Sequence, residues 1–185
     1  VWGQDFGFAA AGDKDSLQAR DQIIDEAIRQ HERGAIITLM WHAVRPTDDE
    51  PGTFTGNVLT KISAKTYAEL VTPGSEVHRR WLAQTDLIAA CLKRLQAADV
   101  PVLWRPYHEM NGAWFWWGAR RGSRFVDLWK QHYQRLTGHH GLHNLIWVWN
   151  TNAPNHFRVR KYADLFPGAD TVDILATDAT LGIQR

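Results

Sequence analysis

Five short apolar runs punctuate the chain, and each closes on a polar side chain able to do chemistry. They occupy residues 1–8 with Asp5 near the end, 35–41 before His42, 100–108 with His108 then Glu109, 145–149 before Asn150, and 172–177 before Asp178. Between them lie segments of helical periodicity. Residues 15–33 carry Leu17, Ile23, Ile24, Ala27 and Ile28 on one side and stop at Gly34. Residues 81–98 and 124–136 repeat the pattern, and residues 159–166 read as a short helix. No hairpin signal joins successive runs, so strand–helix alternation argues for a parallel α/β fold. The run AIITLMW at 35–41 is apolar without interruption, the pattern of a parallel strand buried on both faces. In such folds ligands bind beyond the carboxyl ends of the strands, which is where the polar residues gather. A (β/α)8 barrel would place them so, although five strands do not close one. No Gly-rich phosphate loop follows any run, so a dinucleotide fold has no positive support.

The stretch 102–118, VLWRPYHEMNGAWFWWG, concentrates the chemistry. A strand carrying Arg105 and Tyr107 leads to His108 and Glu109, and Asn111-Gly112 marks a turn. A carboxyl flanked by indoles loses solvation of its charged form, which suits a general acid. Arg105, Tyr107 and Glu109 alternate along the strand and are expected to share one face. A structural ion pair between Glu109 and Arg105 is therefore as natural as catalysis, and the two are compatible. His42 and His108 are placed to bond sugar hydroxyls or orient Glu109, or to be satisfied by backbone. Trp114, Trp116 and Trp117 offer stacking faces, with Trp116 the one expected to pack against the rim instead. A metal reading needs three converging ligands. Position 112 is Gly, not the second His of a zinc-protease motif, and His139, His140 and His143 precede a strand on the opposite side.

Composition removes other classes. Of 185 residues, 21 are basic and 20 acidic, for a formal net charge of +1. That balance makes no electrostatic case for nucleic acid or an anionic membrane. No apolar run reaches membrane-spanning length. One cysteine, Cys91, excludes an internal disulfide framework and reads as a small core residue. Ten Trp is the outlying count, and flat aromatic faces suit both cores and sugar rings. The long polar segment 45–74 reads as a functional loop. Both ends read as cut from a longer chain.

RPYHEMNGAWFWWG resembles the signature of glycoside hydrolase family 26, best known for β-mannanases. TLMWH at 38–42, NLIWVWN at 144–150 and FPGADTVDILATD at 166–178 resemble its neighbouring strands in the right order. The resemblance covers nearly the whole chain. It implies an incomplete (β/α)8 TIM barrel, with residues 1–185 as a partial catalytic domain holding strands two to six. It implies a retaining glycosidase acting on mannan-type polysaccharide, without cofactor or metal, secreted or periplasmic, and monomeric when complete. Glu109 falls on the family's acid/base, with His108 beside it. His42 and Trp114 fall on residues lining the cleft. Trp117, Asn111, Arg105 and Asp178 complete the expected substrate-binding set.

The family's nucleophile is a Glu on a seventh strand, and this chain stops after the sixth. Glu26, Glu32, Glu50, Glu69 and Glu76 all fall in helices or the long loop. The family usually has Asp-x-Tyr after the sixth strand, where Asp178-Ala179-Thr180 stands here. Three alternatives follow: a relative acting on mixed-linkage β-glucan or β-1,3-xylan, a non-catalytic carbohydrate-binding relative, or an inverting enzyme pairing Glu109 with Asp5 or Asp178.

Overall fold

The computed structural model describes residues 1–118, 123–153 and 159–179. Five strands form one sheet: β1 (Trp2–Asp5), β2 (Ile37–Trp41), β3 (Val102–Pro106), β4 (Leu145–Asn152) and β5 (Ile174–Asp178). Their order in the sheet is their order in the sequence, and every pairing is parallel. Consecutive parallel neighbours need a crossover each time, and helices supply the first three. Those helices are α1 (Arg20–Glu32), then α2 (Ala64–Leu70) with α3 (Glu76–Ala97), then α4 (Phe125–Tyr133), which runs on in wider turns through Gln134–His139. Among the described residues of the last crossover, a single 3-10 turn, Tyr162–Asp164, stands where the sequence suggests a longer helix. A run of parallel βα units in sequence order is an arc of a (β/α)8 barrel.

β2 and β3 are buried on one face, not both, whereas β4 is buried on both faces from Trp147 to Asn152. In β2, Ile37, Leu39 and Trp41 are buried while Thr38 and Met40 are half-buried, and β3 repeats the pattern. Helices cover only the first face, from which Ile24 and Ala27 of α1 and Trp81, Ile88, Leu92 and Leu95 of α3 are excluded from water. Leu128 and Trp129 of α4 extend the same layer. Cys91 packs at its margin, half-buried. Arg105 stands on the opposite, half-open face, beside its register partner Met40.

Caps explain where the helices begin. Ser75 Oγ accepts the His78 N–H at 3.0 Å, so α3 starts a turn and more before the position its apolar spacing suggests. Ser63 Oγ accepts the Thr66 N–H at 3.0 Å and starts α2, a helix inside the segment read as loop. Tyr67 and Leu70 bury its inner side. The acidic and basic side chains of the rim are thus carried on strand ends braced from behind by long helices.

Candidate active site

β3 ends at Pro106, two residues before the sequence pattern suggests. Tyr107 and Glu109 then adopt left-handed backbone angles, φ +50° and +54°. Side chains after Pro106 therefore no longer alternate across a strand, and the expectation that Arg105, Tyr107 and Glu109 share a face fails. Tyr107 instead turns into the core, where its hydroxyl accepts from Trp81 Nε1 at 2.8 Å. Burial pushes its phenol above the usual range, so it stays protonated.

The same turn lifts Glu109 out beyond the strand end. Its N–H donates to the Asn150 carbonyl of β4 at 2.7 Å, and its own carbonyl accepts from Gly112 at 3.0 Å. The side chain is half-buried. Trp114 Nε1 donates to one carboxyl oxygen at 2.8 Å, and Asn152 Nδ2 donates to the other at 2.9 Å. Glu109 makes no ion pair with Arg105. That guanidinium is taken by Asp178 and by Asn150 Oδ1, the latter at 2.8 Å. Gly112 has a steric role: a Cβ there would sit 2.1 Å from the Trp114 ring.

His42 follows β2 and His108 follows β3, so neighbouring strands bring the two imidazoles edge to face, 4.6 Å between centroids. His42 Nδ1 meets Asp5 Oδ2 at 2.5 Å, and Asp5 also accepts the Gly7 N–H at 2.7 Å. A carboxylate on Nδ1 leaves Nε2 as the ring's outward nitrogen. Burial, then the like charges of His42 and Arg105, push the His108 pKa down to about 2, so this imidazole is neutral. Phe115 packs on both rings, at 5.4 and 5.1 Å. Phe54 meets His42 from the loop after β2 at 5.8 Å and is 42% exposed.

Three members of the expected binding set are buried: Trp117, Asn111 and His108, the last 5% exposed. Trp117 is fully buried, stacked on Phe115 at 4.4 Å, and its Nε1 donates to the His108 carbonyl at 2.9 Å. A ring with no free face cannot stack on sugar; it supports the turn. Asn111 is 1% exposed. Its side chain grips the Asn152 main chain, with Oδ1 accepting the N–H at 2.7 Å and Nδ2 donating to the carbonyl at 2.8 Å. Trp116 packs as expected, with Nε1 donating to the Ala43 carbonyl at 2.7 Å. Trp114 is half-buried and borders Glu109. Asn152, Phe54 and the bond between Asp5 and His42 were not legible as parts of the site: they arise across strands or from the long loop. Thr180 lies outside the described residues.

The remaining carboxylates are occupied or remote. Glu50 pairs with Arg20 at 2.8 Å, and that guanidinium also holds the Phe6 and Gly7 carbonyls. Glu26 and Glu32 lie on α1, Glu69 on α2 and Glu76 on α3. Among the described residues, no three His, Cys, Asp or Glu side chains converge as a metal site would require. His140 is bound to Asp86 at 2.7 Å. No helix of the described residues is long and apolar enough to cross a membrane.

Comparison with known proteins points one way. Residues 10–183 match the sequence profile of glycosyl hydrolase family 26. A mannan endo-1,4-beta-mannosidase of Thermothelomyces thermophilus is 41% identical over 160 residues, 84% of this chain and 31% of that protein. Mannan endo-1,4-beta-mannosidase A of Piromyces sp is 33% identical over 181 residues, 96% of this chain and 28% of that protein. Among solved structures, GH26A from Muricauda sp. MAR_2010_75 superposes with a TM-score of 0.87 at 48% identity, over 96% of this chain and 57% of that one. The Bacillus subtilis mannanase man26 superposes at 0.76 and 29% identity, over 96% and 53% respectively. The chain thus spans about a third of the curated relatives' length.

Proposed function

The chain belongs to glycosyl hydrolase family 26, and on that premise we propose that it is part of the catalytic barrel of a retaining endo-β-1,4-mannanase, with Glu109 as acid/base. The fold is an incomplete (β/α)8 barrel. One observation carries the assignment: Glu109 stands half-open beyond β3, with an N–H donor on each carboxyl oxygen. A carboxyl so held is oriented before substrate arrives, which is what proton transfer requires.

In the first step, Glu109 gives its proton to the glycosidic oxygen as the bond to the anomeric carbon breaks. A second carboxylate attacks that carbon from the other side. In the second step, Glu109, now ionised, takes a proton from water, whose oxygen displaces the second carboxylate. That nucleophile belongs to the part of the protein outside these residues. Asp5 and Asp178 each already hold a cationic or imidazole partner, which speaks against either as the base of an inverting reaction.

Around this centre we place His42 and Trp114 as groups that meet the sugar, with neutral, buried His108 packed edge to face on His42. Arg105 and Asp178 form the floor of the site, and Asn111 and Trp117 hold its walls. The substrate class follows from the mannan endo-1,4-beta-mannosidase relatives. The whole protein is expected to work as a secreted or periplasmic monomer without a cofactor.

The test is full-length protein assayed on mannan, mixed-linkage glucan and β-1,3-xylan, beside Glu109→Gln. Turnover is expected on mannan, and the variant should lose roughly two orders of magnitude or more. Unchanged turnover in the variant would remove Glu109 from the role. Preference for glucan or xylan would correct the substrate. Binding of mannan without hydrolysis by the full-length protein would make it a carbohydrate-binding relative.

A further inference from the structure

With Glu109 as the acid/base group proposed for the family reaction, we propose that Asn152 is a positioning residue that sets where on Glu109 the transferred proton sits. Asn152 closes β4 and is 5% exposed. Its main chain is fixed without help from its side chain. Asn111 binds both its N–H and its carbonyl, Tyr162 donates to that carbonyl at 3.3 Å, and the β4–β5 ladder pairs it with Asp178. The side-chain amide is therefore spare to the fold, and its Nδ2 is spent on Glu109 Oε1 at 2.9 Å.

A carboxyl offers about four lone-pair sites. Trp114 fills one on Oε2 and Asn152 one on Oε1, so the proton is confined to the two that remain. Both donors favour the ionised form, which is the base needed for the second step. Removing the Asn152 donor should favour the protonated form and free the carboxyl to rotate. The first effect moves the alkaline limb of the pH–rate profile upward, because that limb reports loss of the acid's proton. The second slows reactions whose leaving group must be protonated.

The experiment uses full-length protein with Asn152→Ala, Asn152→Asp and Glu109→Gln, measuring kcat/KM against pH on mannan and on a dinitrophenyl β-mannoside. The dinitrophenolate leaves without a proton, so acid catalysis contributes little to it. Asn152→Ala is expected to lose roughly tenfold to a hundredfold on mannan, as for a lost hydrogen bond to a charged group, and less than about threefold on the aryl substrate. Its alkaline limb should rise. Asn152→Asp keeps the shape and places a like charge beside Glu109, so its limb should rise further. Equal losses on both substrates with an unmoved limb would make Asn152 merely structural and overturn the proposal, as would no loss at all. Should Asn152→Ala fail to fold, the limb of the isosteric Asn152→Asp decides. Should Glu109→Gln fail to separate the two substrates, the acid/base assignment itself falls, a different result from an intact Glu109 effect with a silent Asn152.

Discussion

His132 lies between aromatic rings, stacked on Trp41 and Trp104 with centroids 6.1 Å from each. Trp104 Nε1 donates to its Nε2 at 3.3 Å, which only a neutral imidazole accepts. Burial pushes its pKa down to about 3, in the same direction as His108. The unfolded chain titrates near 6.5. Between those values the unfolded state binds a proton that the native state refuses. Stability is therefore full above about pH 6.5 and is lost as pH falls towards 3. Denaturant midpoints should drop between pH 7 and pH 5. In His132→Phe the slope should be shallower, by up to about 1.4 kcal/mol per pH unit. An unchanged slope would mean that His132 takes up its proton in the native state. At this scale the sequence exposes what sits directly after an apolar run: Glu109, His42 and His108 are legible that way. It hides what depends on backbone angles or neighbours. Two left-handed residues void the alternation that puts Tyr107 beside Arg105, and Asn152 reaches Glu109 only because β3 and β4 are adjacent.

At the scale of the element, continuous apolar runs make strands easy to read, and their ends hold to within a few residues. The helix α2 is hidden because its seven residues show too little periodicity against a polar surround. Strand ends also mislead where polar residues continue the ladder: β4 runs through Asn150 and Thr151 to Asn152 because β5 pairs with all three. The end of α3 carries a testable conflict between residue and backbone. Asp99 follows the helix at φ +54°, while Val100 N–H returns to the Leu95 carbonyl at 3.0 Å. This is a left-handed closure that glycine fills without steric cost. Asp99 is exposed, so nothing else is removed with its side chain. Asp99→Gly should raise unfolding free energy by about 0.5–1 kcal/mol in a denaturant titration. A loss of stability would show that the carboxylate contributes something beyond the turn.

Over the whole molecule, the sheet is open at both ends among the described residues: β1 pairs only with β2 and β5 only with β4. Leu175 is 67% exposed on β5, and Ile174 and Phe166 beside it are 38% exposed. Unpaired strand edges next to apolar side chains associate with other chains. The 185 residues expressed alone should be inactive on mannan and should aggregate, whereas full-length protein should not; light scattering and a reducing-sugar assay on both read this out. Soluble, active protein from this stretch would show that the second carboxylate is already present in it. Strand–helix alternation made the parallel arc legible from the sequence. The half-open face was not, because an uninterrupted apolar run such as residues 35–41 does not show which of its two faces a neighbouring layer covers.

Glu109 is carried by the turn after β3, yet its N–H and one carboxyl oxygen are held from β4, and Asn111 of that turn holds β4 in return. The βα units of a barrel are often treated as interchangeable modules. Here the third and fourth share one polar lattice, so exchanging one without the other would break it. Chimeras that exchange segments among relatives should keep residues 102–152 from a single parent and place their crossovers in the helices outside that span.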